Sequence, residues 1–444
     1  MKVLVVGGGA REHAICDAVA RSKDATLYSV MSNLNPGIER LATKHVIEKE
    51  TQVDRVVEFA DQEKIDLILI GPEAPLEAGL VDALQNKGIK VCAPTQAAAR
   101  IETDKEWMRA LLKNHKIPGQ VHCESVIDVK KAKEFIDSLE SNVVIKPIGL
   151  TGGKGVRVAG DHFNGADEAL AYVKEVIEKK IGGAAKVLLE EKLEGEEFTL
   201  QAFSDGSRIR TLPAVQDHKR LLPDDFGPNT GGMGSYSCMN GLLPFLSQKE
   251  YDSGTRILQQ VIHALNREGN PYIGPIYGQF ILTKDGVKVI EFNARFGDPE
   301  AMNVLPLLQN DYVELCTAML EGKLSENPLE VERKSTVCKY VVPEGYGVKS
   351  MVGEKIQVDE SAITKVGAKL FYASVNKKDS DIVTLSSRSL AIVGIADDVD
   401  AAERLCEQGL SHVKGDHIFI RHDVGTKPLL EKRVRHMNRI RERK

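Results

Sequence analysis

Short, wholly apolar runs alternate with amphipathic stretches over the first hundred residues. The run at 3–6 closes on Gly7-Gly8-Gly9, and apolar positions then recur at helical spacing over 11–21. Runs at 25–30, 65–70 and 89–93 predict three further strands, and 76–84 predicts a helix. Thr95, just past Pro94, is placed to cap the next helix. Strands that are apolar on both faces and separated by helices predict a parallel sheet covered on both sides. Ligands of such sheets sit at the carboxyl ends of the strands, where the glycines lie.

After a helix around Trp107 the pattern changes. Between 142 and 203 strands come in pairs around glycine turns, which predicts antiparallel hairpins. The stretch 212–242, rich in Asp, Pro, Gly and Asn, has little periodicity and reads as a long functional loop. Strands at 277–283 and 287–293 precede a helix opened by Asp298-Pro299-Glu300, with Asp at the cap and Pro at the first helical position. From about 326, short strands and one helix at 400–408 predict a smaller α+β unit. The arginines of 432–444 recur at helical spacing and predict a solvated terminal helix. The chain reads as an α/β multidomain protein: a parallel-sheet domain at 1–101, a two-lobed centre at 102–325 with a mobile lobe at about 118–192, and an α+β domain at 326–444.

The 444 residues carry 59 Lys+Arg against 64 Asp+Glu, a net charge of −5. That balance offers no global attraction to nucleic acid or to an anionic membrane. No stretch approaches the roughly 20 apolar residues needed to span a bilayer, and the N-terminal run is too short for a secretory signal. Seven scattered cysteines without a C-x-x-C pair argue against a disulfide framework or zinc site, and a reducing cytoplasm is expected.

Gly7-Gly8-Gly9-Ala10-Arg11-Glu12 follows a strand but departs from a dinucleotide fingerprint. Glu12 stands where the third glycine belongs, and Asn33 ends the second strand where a ribose-binding acid belongs. Helix-start amides and Arg11 could hold a single phosphate. Lys146 lies in an apolar strand, and Gly149-Leu150-Thr151-Gly152-Gly153-Lys154-Gly155 follows it. A Walker A loop needs Ser or Thr after its lysine and then a helix. Here Gly155 and a strand follow, so this is a glycine loop in a hairpin, with amides for phosphates and lysines to offset their charge. Period two puts Glu291, Asn293 and Arg295 on one strand face, oxygen ligands and a guanidinium suited to a divalent ion bridging phosphate; Gln279 could add an oxygen. Gln216-Asp217-His218-Lys219-Arg220 and Pro228–Gly234 fit a substrate-binding lid.

In this order, the pieces GGGAREHA, GPEAPL, IKPIGLTGGKGV, LLEEKLEGEE, QDHKR, GPNTGGMGSYS and VIEFNARFGDPE resemble the ATP-grasp superfamily and, within it, the phosphoribosylamine–glycine ligase family, over nearly the whole chain. The resemblance implies ATP-dependent ligation of glycine to 5-phosphoribosylamine in purine biosynthesis, with ATP and Mg²⁺ or Mn²⁺, by a monomer or weak oligomer. Lys146 and Arg295 are then the expected catalytic residues. Lys105, Lys146, Gly152, Gly153, Lys154 and Gly155 would hold ATP phosphates, Glu190 and Leu193 the adenine hinge, and Glu197 the ribose. Gln279, Glu291 and Asn293 would hold the metal. Gly9, Arg11, Glu12, Glu73, Asp217, Lys219, Asn229, Thr230, Gly231, Gly232, Arg295 and Asp298 would form the substrate side. The chain departs from the family at Ile148, at Thr151-Gly152, after the second strand, at Gln279, and at Ser386-Ser387, where a double glycine before arginine is common. Three rival readings stand beside this one: another ATP-grasp enzyme acting on a different purine intermediate, such as a carboxylating one; a nucleotide-binding scaffold without turnover; and a nicotinamide oxidoreductase, disfavoured by Glu12 and Asn33.

Overall fold

The computed structural model describes residues 1–151, 155–379 and 381–443. Its first hundred residues form a five-stranded sheet in the order β3-β2-β1-β4-β5: β1 (Lys2–Val6), β2 (Thr26–Met31), β3 (Lys44–Ile47), β4 (Leu67–Ile70) and β5 (Lys90–Val91). All pairings are parallel. Helices α1 (Ala10–Ala20), α2 (Pro36–Leu41), α3 (Val53–Gln62), α4 (Ala74–Glu77), α5 (Leu80–Gln85) and α6 (Gln96–Thr103) connect the strands. The chain reverses direction across the sheet between β1 and β4, the switch point where open α/β sheets bind ligands. The turns that follow those two strands carry Gly7-Gly8-Gly9 and Gly71-Pro72-Glu73.

Three elements here escaped the sequence pattern. β3 and α2 are short and half-exposed, and α3 alternates with polar residues. The helix expected at 76–84 is two helices, because Gly79 adopts φ +82° between them. Thr95 does cap α6, its hydroxyl accepting the Ala98 N–H.

After α7 (Lys105–Asn114), a four-stranded antiparallel lobe runs in the order β6-β9-β7-β8, from β6 (Cys123–Val126), β7 (Val143–Pro147), β8 (Arg157–Val158) and β9 (Val187–Glu191). Helices α8 (Val129–Ser138) and α9 (Gly165–Lys179) cover it, and Phe135, Val143, Ile145, Tyr172 and Leu189 give it a core of its own. β7 and β8 are the predicted hairpin around the glycine loop. β9 does not pair with β8, the strand before it, since α9 intervenes and β9 returns between β6 and β7.

A larger sheet faces this lobe. β10 (Glu196–Asp205) pairs with β11 (Ile209–Thr211) and β12 (Val215–Asp217); β13 (Arg220–Leu222) and β14 (Phe226–Asn229) form a separate hairpin; β15 (Gly234–Ser237) rejoins the sheet. The stretch 212–242 was expected to be irregular. Its strands are too short for period two to register. Helix α10 (Gln248–Arg267) packs on β16 (Ile273–Thr283) and β17 (Gly286–Asn293), where Phe280 stacks on Phe198 and meets Phe292 edge to face in a common core with Leu258 and Ile262. Burial of each such ring contributes about 2–3 kcal/mol.

Helices α11 (Ala301–Val304) and α12 (Tyr312–Leu320) lead to β18 (Ser335–Pro343). The expected start at Asp298 is displaced to Glu300, because the Asp298 carboxylate is taken by Tyr340 and Arg388 rather than by its own helix. β18 pairs with β15 on one edge and Leu390–Ala396 on the other, so the C-terminal segment continues the large sheet. That segment has three helices, Glu360–Lys365, Val399–Leu410 and Lys427–Glu442. The last is not the solvated helix expected. Leu429, Met437 and Ile440 are buried, and its basic residues pair with Glu196 and Asp225 of the central sheet and hairpin.

Candidate active site

Glycine turns at the switch point bring α1 against the end of β17. Gly7 adopts φ +121°, and Glu12 fills the space that side chains at Gly7, Gly9 and Gly71 would need. One Glu12 oxygen accepts the Gly9 N–H at 2.7 Å and the other Arg11 Nε at 2.6 Å. Arg11 also donates to the Phe296 carbonyl at 3.2 Å. Glu12, 2% exposed, closes its own turn. The same carboxylate occupies the Gly9 amide that a phosphate would use.

Lys105 and Lys146 flank the mouth of the small lobe. Lys105 opens α7 and donates to the Gly149 carbonyl at 2.8 Å, directly beneath the glycine loop. Gly152, Gly153 and Lys154 lie outside the described residues. Gly155 is among the described residues, and its carbonyl accepts Tyr172 OH at 2.6 Å. Lys146, on β7, lies 2.7 Å from Glu190 Oε2, and Arg109 Nε takes the other Glu190 oxygen at 2.7 Å. Burial raises the Glu190 pKa, but Arg109 and Lys146 outweigh it and hold the carboxyl at about 2. The Glu190 side chain thus serves this buried cluster, and the hinge proper is the segment between β9 and β10 carrying half-buried Leu193. Glu197, one residue into β10, is exposed and accepts Gln279 Nε2 at 2.5 Å and Lys219 Nζ at 3.2 Å.

The metal candidates sit on the floor. Gln279 and Glu291 are direct cross-strand partners on β16 and β17, beside a register shift after Gln279. Lys105 and Lys219 are the ammonium groups in the field of Glu291, yet Lys105 bonds a carbonyl and Lys219 bonds Glu197. The half-buried Glu291 carboxylate therefore has no ion pair among the described residues, and with buried Asn293 it presents hard oxygen donors to a divalent cation. Among the described residues no group of three or more His, Cys, Asp and Glu forms a complete protein cage. Such a sparse set suits an ion completed by substrate phosphates.

Arg295 lies two residues beyond the end of β17 and leaves the face of Glu291. It binds Glu73 Oε2 through Nε at 3.1 Å and Glu102 Oε1 through Nη2 at 2.9 Å, and donates to the Phe296 carbonyl at 3.0 Å. Burial raises the Glu73 pKa, but Arg295 and Arg11 hold it at about 2. For Glu102 burial prevails over the same guanidinium, and its pKa rises to about 7.

On the substrate side, Asp217 Oδ1 is buried, without a hydrogen-bond partner among the described residues, against Gly232, which adopts φ +107°. Burial and the neighbouring Glu300 push the Asp217 carboxyl up. Thr230 Oγ1 donates to the Lys219 carbonyl at 2.8 Å, and Asn229 pairs with Arg220 at the hairpin. Gly231 donates to Tyr346 OH at 3.3 Å. Arg388 gathers the carbonyls of Gly231, Gly232 and Asp298, and its Nη2 lies 3.2 Å from Asp298 Oδ1.

Four residues of this network were not singled out from the sequence: Glu102, Arg109, Glu300 and Arg388. Arg109 stands one helical turn from Lys105, a same-face spacing that was available as a signal. Arg388 was noticed only as part of an unusual turn.

A glycine-loop lobe facing a large antiparallel sheet, with lysines above and acid–amide oxygens below, defines an ATP-grasp protein. Three family models match most of the chain: the phosphoribosylglycinamide synthetase N domain over residues 1–102, its ATP-grasp (A) domain over 103–301, and its C domain over 336–427. The chain belongs to the phosphoribosylglycinamide synthetase family, the phosphoribosylamine–glycine ligases of de novo purine biosynthesis, which form a C–N bond. It is 52% identical to the phosphoribosylamine–glycine ligase of Methanothermobacter thermautotrophicus and 48% identical to that of Methanocaldococcus jannaschii; each match covers 99% of this chain and 100% of the relative. The crystal structure of a phosphoribosylamine–glycine ligase from Thermotoga maritima is similar at TM-score 0.80 and 26% identity, covering 95% of this chain and 100% of that one. An N5-carboxyaminoimidazole ribonucleotide synthetase from the same organism shares the fold at TM-score 0.62 and 16% identity, over 93% of this chain and 99% of that one. The ATP-grasp class uses ATP with divalent metal ions.

Proposed function

We propose that this chain joins glycine to 5-phosphoribosylamine, cleaving ATP to ADP and phosphate and giving glycinamide ribonucleotide. The observation that carries the reading is that Lys105 and Lys146 lie at the small lobe while the Glu291 carboxylate on the facing strand has no ion pair among the described residues. A glycine carboxylate oxygen attacks the γ-phosphorus of ATP, and ADP leaves. The amine of phosphoribosylamine then attacks the carbonyl carbon of glycyl phosphate, phosphate leaves, and the amine loses a proton.

No protein nucleophile is needed, so the protein supplies positioning and charge. Lys146 and Lys105 neutralise the β- and γ-phosphates. The segment around Leu193 receives the adenine edge and Glu197 the ribose diol. Glu291 and Asn293, with the Gln279 carbonyl oxygen, would hold Mg²⁺ or Mn²⁺; when bound, the ion neutralises charge on the phosphates. Arg295 faces the transferred phosphoryl group. Asp217, Lys219 and the 229–232 loop, with Arg11 and Glu73 at the switch point, hold glycine and the ribose phosphate. Residues 1–101, 102–325 and 326–444 are read as three units, with the lobe at about 118–192 moving over the nucleotide. The chain is read as a monomer or weak oligomer, and its seven free cysteines accord with a reducing cytoplasm.

The test is mass-spectrometric detection of glycinamide ribonucleotide from ATP, Mg²⁺, glycine and phosphoribosylamine generated in the tube, with single omissions. One ADP per product, lost when glycine or ATP is omitted, is expected. ATP binding without product would move the reading to another substrate.

A further inference from the structure

Glu102 holds Arg295 at two points. Its Oε2 accepts the Ala294 N–H at 2.6 Å, fixing the peptide just before the arginine, and its Oε1 takes the guanidinium Nη2 at 2.9 Å. The carboxylate is 7% exposed and lies on α6, a different element from the strand it secures. Three residues on, Lys105 bonds the Gly149 carbonyl under the glycine loop, and Asp104 between them caps α7 through the Trp107 N–H at 2.9 Å. One short connection therefore fastens the end of the metal-bearing strand and the base of the glycine loop.

Arg295 has three directed contacts, to Glu73, to Glu102 and to the Phe296 carbonyl. One hydrogen on each Nη remains for substrate, and Glu102 determines where the Nη2 hydrogen points. Glu73 meets Nε rather than a terminal nitrogen and is the more exposed of the two carboxylates, so Glu102 is the buried anchor at the end of the guanidinium that faces substrate.

We propose that Glu102 is a positioning residue for the phosphoryl-transfer step: it orients Arg295 toward the transferred phosphate and fixes the strand end beside the metal candidates. The assignment rests on the reading of Arg295 given above. Glu102 touches no substrate itself.

The test is a double-mutant cycle read in steady state. Glu102→Gln keeps size and most hydrogen bonding but removes the charge that directs the fork. We expect kcat to fall about 10- to 100-fold, the range for loss of one charge-assisted hydrogen bond, with KM for ATP changed less than about threefold. Glu102→Asp, which keeps the charge, should recover part of that loss. Arg295→Lys alone should lower kcat further, and adding Glu102→Gln to it should cost little more, because the oriented group is already gone. Unchanged kcat in Glu102→Gln beside a crippled Arg295→Lys would overturn the positioning role and leave the Arg295 reading intact. Full turnover in Arg295→Lys would overturn both. Multiplicative losses in the double variant, or a KM for ATP rising in step with the fall in kcat, would make Glu102 a structural residue and overturn the proposal.

Discussion

Lys146 Nζ and Glu190 Oε2 meet at 2.7 Å inside a closed cluster completed by Arg109. A lysine assigned to a nucleotide phosphate is thus already paired, so ATP must share it with a carboxylate. Arg109 keeps Glu190 ionised and satisfied when that sharing occurs. Lys146→Met should raise KM for ATP about 10- to 100-fold, the loss of one charge-assisted contact, while Arg109 still holds Glu190 and the fold survives. ATP titration calorimetry alongside a melting curve checks both halves; unchanged affinity would remove Lys146 from the phosphate site.

Glu291 has no cationic partner among the described residues, whereas Glu190, Glu73 and Glu102 all have one. Glu291→Gln should abolish high-affinity Mn²⁺ binding in the presence of ATP, followed by electron paramagnetic resonance, and cut turnover at least 100-fold. Stability should change by less than about 1 kcal/mol, since no buried pair is broken. Retained Mn²⁺ affinity would place the ion elsewhere.

Arg388 shows what the C-terminal segment contributes to the site. Its guanidinium spans three carbonyls and the Asp298 carboxylate, and stacks over Tyr340 at 4.5 Å. A lysine ammonium cannot reach all of these at once. Arg388→Lys should raise KM for phosphoribosylamine or glycine about tenfold while KM for ATP stays within twofold, measured with each substrate varied in turn. Equal effects on all three would indicate general loosening instead.

The fold was legible where burial is total. β1 and β4 are apolar on both faces, and the glycines after them mark the switch point as clearly in sequence as in space. It was illegible where a strand has three or four residues, as in β12 to β15, because period two needs more length to register. The site divides the same way. Glu291 and Asn293 stand on a strand whose alternation names their face, and Lys146 breaks a continuous apolar run. Arg295 lies past the strand end, so periodicity put it beside Glu291 although its carboxylate partners lie elsewhere. Glu102 and Arg388 come from elements far along the chain, and no local pattern announces such a contact. The arginine-rich tail was misread for a related reason: its acidic partners, Glu196 and Asp225, lie some 200 residues away.

His13 makes one contact between α1 and the C-terminal segment sensitive to pH. Its Nδ1 accepts the Tyr372 N–H at 2.9 Å, and its ring presses on Gly37, where a Cβ would lie 1.9 Å away. Burial, helped by Arg40, lowers its pKa from 6.5 to about 3. The folded state thus needs the neutral ring, whereas the unfolded chain takes up a proton below pH 6.5. Stability from this group is complete above 6.5 and is lost as pH falls toward 3, by about 2 kcal/mol at pH 5. Urea melts at pH 7.5 and 5.0 should show that difference, and His13→Gln should shrink it. An equal pH effect in the variant would assign the loss to other groups.

Arg433 tests whether the terminal helix is structural. It links Asp225 Oδ2 to Glu196 Oε2, the latter at 3.5 Å, and so joins the substrate hairpin to the first residue of β10, next to Glu197. Each carboxylate keeps a second partner: His436 Nδ1 lies 2.6 Å from Glu196, and Arg421 Nη1 lies 3.1 Å from Asp225. Arg433→Met keeps the apolar stem and removes only the charge. It should cost about 1–3 kcal/mol, less than a buried pair with no substitute partner. Combined with His436→Gln, which removes the imidazole bonded to Glu196, the loss should exceed the sum of the single effects. Chemical denaturation of the two singles and the double measures that coupling. Additive changes below about 0.5 kcal/mol would return the helix to the solvated tail its composition implies.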